Sequence, residues 1–130
     1  MTNNTVRLHF QVSGQGPYFG QRVWFTHYHE EKNLTSVIDR YTGQIKRVLV
    51  VLDKHFKESG SEYLVGDKYT YADLSFVPWQ MLLPFIMGDK SDEFHAEVEK
   101  ELPHYWAWWQ RISNRPATQE MKKERESKFQ

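Results

Sequence analysis

Apolar side chains recur at helical spacing along most of the chain. Leu34, Ile38, Tyr41, Ile45, Val48, Leu49, Leu52 and Phe56 advance in steps of three and four, which places them on one stripe of a long helix. Asp39, Arg40, Lys46, Arg47, Asp53 and Lys54 fall between them and predict its outer polar face. Ser59-Gly60-Ser61 supplies a glycine stop. In "YLVGDKYTYADLSFVPW", Gly66-Asp67 marks a turn, and Thr70 with Asp73 predicts a capping box in which Asp replaces the commoner Glu. Tyr69 and Leu74 stand at the positions of a hydrophobic staple. The helix after this cap carries Leu74, Phe76, Val77, Trp79, Met81, Leu82 and Leu83 and is apolar nearly all round, as a central helix would be. Pro78 and Pro84 predict a bend or an early end to it. Asp73 is a carboxylate inside this signal, and the cap accounts for it without a catalytic role.

Asp89 to Lys100 reads as a polar loop with a short amphipathic helix. "ELPHYWAWWQRISNRPA" predicts another helix, with Pro103 in its first turn. Leu102, Tyr105, Trp109 and Ile112 share one face of it, and Trp106 and Trp108 fall to either side. From Thr118 to Gln130 the chain is mostly charge and is either a solvated helix or frayed. No repeat or linker divides the sequence. The expected architecture is therefore all-α, a helical bundle of five to six helices forming a single domain over residues 1–130, with 118–130 as a charged tail.

One stretch resists this pattern. "VRLHFQV" and "RVWFTHYHEEK" both read as helix, yet "SGQGPYFGQ", residues 13–21, lies between them. Gly14, Gly16, Pro17 and Gly20 all weaken a helix. Close packing, a bend or a bound ligand must offset that weakness, and Tyr18 and Phe19 beside the glycines could form an apolar wall with one polar handle.

Composition narrows the function. The 130 residues carry 17 basic and 17 acidic side chains, without the cationic surplus that nucleic-acid binding needs. No run approaches the ~18 apolar residues of a membrane-spanning helix. The first residues have neither the basic segment nor the cleavage site of a secretory signal, which makes the cytoplasm the expected compartment. There is no cysteine, so the chain has no thiolate nucleophile, disulfide or cysteine-ligated zinc of its own. Five Trp, seven Tyr and eight Phe are enough to fill a core and line a cavity as well. His27 and His29 in "HYHEE" are two apart and point to different helix faces, so no metal is expected there. Ser13 has no identifiable base, and no strand precedes the glycines as in a phosphate-binding loop.

Several of these motifs together resemble a known family. "YLVGDKYTYADLSFVPW" is similar to the buried-helix motif of the glutathione transferase C-terminal domain. "SGQGPYFGQRVWF", "VIDRYTGQIKRVLVVLD" and "RISNRPA" resemble the subclass that contains the yeast nitrogen-regulating prion protein and its fungal and bacterial relatives. Members carry an N-terminal thioredoxin-like domain that holds most glutathione contacts, and nothing in this chain reads as that domain. The resemblance implies glutathione as co-substrate and a hydrophobic electrophile as substrate, conjugated or isomerised through thiolate addition. It places Gly16, Pro17, Phe19, Gln21, Trp24 and Phe25 at the substrate wall and Tyr18 as the hydrogen-bond donor to thiol or electrophile. Gln21, Arg22 and Arg40 are the candidates for holding glutathione. A homodimer is the expected partner state. The competing reading is a non-catalytic helical interaction module or one half of a transferase.

Overall fold

A computed structural model describes residues 3–128. Among them every regular element is helical. Helix α1 (Asn3–Phe10), a π-helical turn (Gln11–Gln15), α2 (Gly16–Val23) and a second π turn (Trp24–Tyr28) follow one another without a break. Then come α3 (Thr35–Ser59), α4 (Tyr71–Met81), α5 (Leu83–Met87), α6 (Ser91–Glu101), α7 (Pro103–Ser113) and α8 (Pro116–Lys128). With the first run as one rod and α4–α5 as another, the bundle has six rods among the described residues, as the periodicity predicts.

The stripe on α3 is buried from Ile45 through Val48, Leu49 and Leu52 to Phe56, and it packs against α7 and α2. Gly60 closes α3 in the left-handed region, with φ 64°, and its amide donates to the Phe56 carbonyl. Asp53 departs from the expected solvent face. Its Oδ1 accepts from the amides of His104 (2.8 Å) and Tyr105 (2.9 Å), so a carboxylate on α3 caps α7, whose own first residue, Pro103, has no amide hydrogen to offer.

Helix α4 is the centre. Both arms of the predicted capping box are present: Thr70 Oγ1 accepts from Ala72, and the Thr70 amide donates to Asp73 Oδ2 at 3.1 Å. The other oxygen, Oδ1, accepts from the Leu64 amide (3.0 Å) and from the Trp108 indole Nε1 (2.8 Å). Asp73 is 0% exposed, so this carboxylate joins the loop before α4, the start of α4 and the middle of α7 away from solvent. Thr70 also donates to Asn4 Oδ1, which brings in α1. Trp108, expected beside the buried face of α7, lies at its middle with no exposure and stacks on Phe56 of α3. Tyr69 packs under the Arg115 guanidinium at 3.9 Å, while Leu74, its expected staple partner, stays half-exposed. α4 continues through Pro78 and stops at Met81, and Pro84 falls in the first turn of α5.

Of the two alternatives for the tail, the structure has the solvated helix: α8 runs from Pro116 to Lys128 with most of its side chains exposed. Thr118 Oγ1 donates to the Ile112 carbonyl, and Gln119 Nε2 to that of Ser113.

Two stability predictions follow from these bonds. Asp73→Ala leaves the Leu64 amide and the Trp108 indole without their buried acceptor. At ~1.5–3 kcal/mol per hydrogen bond to a charged group, it should lower the unfolding free energy in urea titration by more than ~3 kcal/mol. His55 Nε2 donates to the Leu64 carbonyl (3.0 Å), and Nδ1 accepts from Arg7 Nη2 (2.9 Å), a pattern that needs the neutral ring. Burial, then the Arg7 charge, push its pKa below the ordinary 6.5, against the weaker pull of the Leu64 carbonyl, Asp73 and Glu58. The unfolded chain therefore takes up this proton first. The contribution is complete above pH 6.5 and is lost as pH falls from there through the folded value. Urea unfolding at pH 7.5 and 5.5 should show a drop that His55→Gln, which can make both bonds uncharged, reduces.

Candidate functional site

The first helical rod shows what the glycine-rich stretch does. Gln11, Gln15, Phe19 and Arg22 recur at three- and four-residue steps and are all buried. The Gly16 amide donates to the Gln11 carbonyl, an i to i−5 bond that widens the turn ahead of Pro17. The wider turn accommodates the proline ring, which would otherwise press on the Ser13 carbonyl four residues back. Gly16 and Gly20 sit against one side chain, the indole of Trp79 on α4. A Cβ at Gly16 would lie 3.5 Å from Nε1, and one at Gly20 3.4 Å from the far edge of the ring. The backbone's close approach is to a neighbouring helix.

Trp79 in turn walls an apolar cleft of about 430 Å³, together with Val23, Tyr28, Leu82, Phe85, Ile86 and Arg125. Residues 23 and 28 come from the end of the first rod, 79 to 86 from α4 and α5, and Arg125 from α8. Tyr28 is 61% exposed and stacks on Trp24 at 6.1 Å. His27 stacks on Phe85 at 4.2 Å and bonds its carbonyl through Nε2 at 2.8 Å, fixing that ring near the mouth. An apolar body fits this enclosure, with the Tyr28 phenol and the Arg125 guanidinium as polar groups.

The expected site residues divide. Gly16 contributes by seating Trp79. Pro17, Gln21 and Trp24 lie on the exposed side of the rod that leads to Tyr28. Phe19 is corrected: it has no exposure and packs edge-on against Trp79, so it supports the wall from behind. Arg22 is corrected as a glutathione anchor. Its guanidinium is buried and spent on Thr42 Oγ1 (2.8 Å), Thr26 Oγ1 (3.3 Å) and the Ile86 carbonyl, and burial lowers its pKa against the opposing charge of Asp39. Tyr18 and Phe25 face α3, where both rings meet Tyr41 and Arg47 lies over Tyr18. Neither lines the cleft. Arg40 stands exposed on α3. Tyr28, Trp79, Phe85 and Arg125 were missed as a group, since only the fold brings 28, 85 and 125 together. His27 and His29 bond in different places, and no three His, Asp or Glu side chains among the described residues could share a metal ion.

An all-α domain built on a doubly capped buried helix, with an apolar cleft between its first rod and its last helix, defines the class. Residues 17–116 match the family "Glutathione S-transferase, C-terminal domain", and the chain belongs to that family. It is 46% identical over 115 residues to "Glutathione S-transferase 2" of Schizosaccharomyces pombe, covering 85% of this chain and 49% of that protein. The crystal structure of the glutathione transferase URE2P8 of Phanerochaete chrysosporium with oxidized glutathione is similar, with TM-score 0.83 and 38% identity over 98% of this chain and 53% of that one. Ure2p5 of the same fungus, cocrystallized with 1-(S-glutathionyl)-2,4-dinitrobenzene, matches with TM-score 0.82 and 36% identity over 98% and 57%. The chain spans about half the length of the curated relatives it matches. Among the described residues no helix is long and apolar enough to cross a membrane.

Gly20→Leu tests the packing role of the glycines. The larger side chain must displace the indole of Trp79, so the variant should lose ~1–3 kcal/mol in thermal or urea unfolding, with a change in the environment-sensitive fluorescence of the cleft.

Proposed function

We propose that this chain supplies the electrophile-binding half of a glutathione transferase, in which glutathione adds through sulfur to a hydrophobic electrophile held in the cleft of Trp79 and Phe85. In conjugation the thiol gives up its proton to solvent or a base, the S–C bond forms, and the electrophile's leaving group departs or its double bond takes up a proton. In isomerisation the addition is followed by elimination of the same sulfur. The cleft supports this reading: an apolar enclosure of about 430 Å³ with a phenol at its mouth, in a chain similar to proteins crystallised with glutathione derivatives. Tyr28 takes the donor role that the sequence suggested for Tyr18, and Gln21 and Arg40, both exposed, remain the candidates for contacts with glutathione. The rate gain comes from holding two reactants together.

A second reading, a helical interaction module, is favoured by one feature. Helix α1 buries none of its residues fully, and Val6 on it (46% exposed) and Val12 in the π turn that follows (65%) leave apolar surface available to another protein or to a second copy as a homodimer.

Calorimetry with glutathione and S-hexylglutathione separates the two. A hexyl group in the cleft, at ~0.8 kcal/mol per buried methylene, should tighten binding at least tenfold. Conjugation of 1-chloro-2,4-dinitrobenzene should fall about tenfold in Tyr28→Phe, the loss of one transition-state hydrogen bond, and little in Tyr18→Phe. Equal affinity for the two thiol derivatives, or no binding of either, contradicts the enzyme reading.

A further inference from the structure

Helix α1 differs from the rest of the first rod. None of its residues is buried, whereas Gln11, Gln15, Phe19 and Arg22, which continue the rod, all are. The π turn Gln11–Gln15 divides the two parts. Its i to i−5 bonding interrupts the regular ladder, and such turns are where a continuous helix bends most readily. Gln15 Nε2 donates to the Phe76 carbonyl at 3.3 Å, and its Oε1 accepts from Gln11 Nε2 at 3.0 Å, both bonds buried. The rod is therefore anchored to α4 at the turn itself.

Ahead of the turn, side chains along one face of α1 tie it to the domain. Asn4 Oδ1 accepts from Thr70 Oγ1 at 3.0 Å, Arg7 Nη2 donates to His55 Nδ1 at 2.9 Å, and the Phe10 ring meets that of Phe76 at 6.3 Å. The middle tie is conditional. Nδ1 accepts only while the imidazole is neutral, because the other ring nitrogen donates to the Leu64 carbonyl. Once protonated, the ring turns a second N–H and a positive charge toward the Arg7 guanidinium. The carboxylates that act on this ring, Asp73 of α4 and Glu58 of α3, favour its charged form, and so favour the form that repels Arg7. Proton uptake by His55 and loss of the Arg7 contact are thus linked.

We propose that the Arg7–His55 contact is a pH-sensitive latch: as the medium turns acidic, α1 swings away from α3 and α4 about the π turn while the rest of the domain stays folded. Opening parts Phe10 from Phe76 and adds it to the apolar surface of Val6 and Val12, so the acid form presents a larger apolar patch on this side. The Thr70 amide keeps its bond to Asp73 throughout. The latch is independent of any part the chain plays in glutathione transfer.

The test is hydrogen exchange of the full chain followed by NMR, with rates corrected for the intrinsic effect of pH. At pH 7.5 the amides of Arg7, Leu8, His9 and Phe10 should exchange through an opening insensitive to low urea, unlike those of Leu49 and Leu52. Their protection should fall about threefold or more at pH 5.5. His55→Gln, which can make both bonds without a charge, should keep the protection at pH 7.5 and abolish its fall. Arg7→Met should lose protection already at pH 7.5, at least halve the pH dependence and raise the midpoint of the His55 ring titration. Arg7 lies on a helix with no buried residue, so this variant decides the matter if His55→Gln fails to fold. Exchange of the α1 amides only by urea-sensitive unfolding, protection that does not change with pH, or a pH dependence undiminished in either variant would overturn the proposal.

Discussion

The Asp73 carboxylate holds the structure together. Its two oxygens accept from the Thr70 and Leu64 amides and the Trp108 indole with no solvent exposure, so one charge anchors the entry to α4, the start of α4 and the interior of α7. A buried carboxylate without donors would carry a large desolvation cost, and three donors make it a constraint instead. Once α4 is fixed in direction, Phe76 packs against Trp108 of α7 and Phe10 of α1, Val77 is buried in the core, and Trp79 walls the cleft. The same pattern recurs where Asp53 of α3 caps α7. The starts of α4 and α7 are thus both closed by carboxylates, one from the helix's own first turn and one from a neighbouring helix.

The glycine stretch and α4 form a second coupled unit. Without side chains at 16 and 20, the first rod comes close enough for the Trp79 indole to lie across two of its turns, with Phe19 edge-on behind. The π turn at Gln11–Gln15 admits Pro17, and the inward stripe of Gln11, Gln15 and Arg22 makes polar ties to α3, α4 and α5 along the same contact. A helix weakened in isolation is thus strengthened by what it packs against. The cleft wall depends on that packing, with Phe19 supporting Trp79 from behind and Tyr18 turned to Tyr41 of α3.

What the sequence disclosed follows local periodicity. The α3 stripe, its glycine stop, the Thr70–Asp73 box and the proline at the head of α7 are all signals contained within a few residues, and each appears in the structure. Arg22 was readable in part, since its spacing from Gln15 and Phe19 puts it on the inward face, but a charged residue on a helix suggests solvent. Asp53 misled for the same reason, because its acceptors' partners lie on a helix some fifty residues away. The cleft was illegible: Tyr28, Phe85 and Arg125 share no local pattern, and they meet only because α5 and α8 fold back over the end of the first rod.

The central claim is that the Asp73 node opens only when the whole domain unfolds. Native-state hydrogen exchange of the Leu64 and Thr70 amides and the Trp108 indole N–H measures this directly. If the claim holds, all three protons exchange with one free energy, equal to that of global unfolding and equally sensitive to urea. Exchange of any of them by a local, urea-independent opening several kcal/mol cheaper would contradict it.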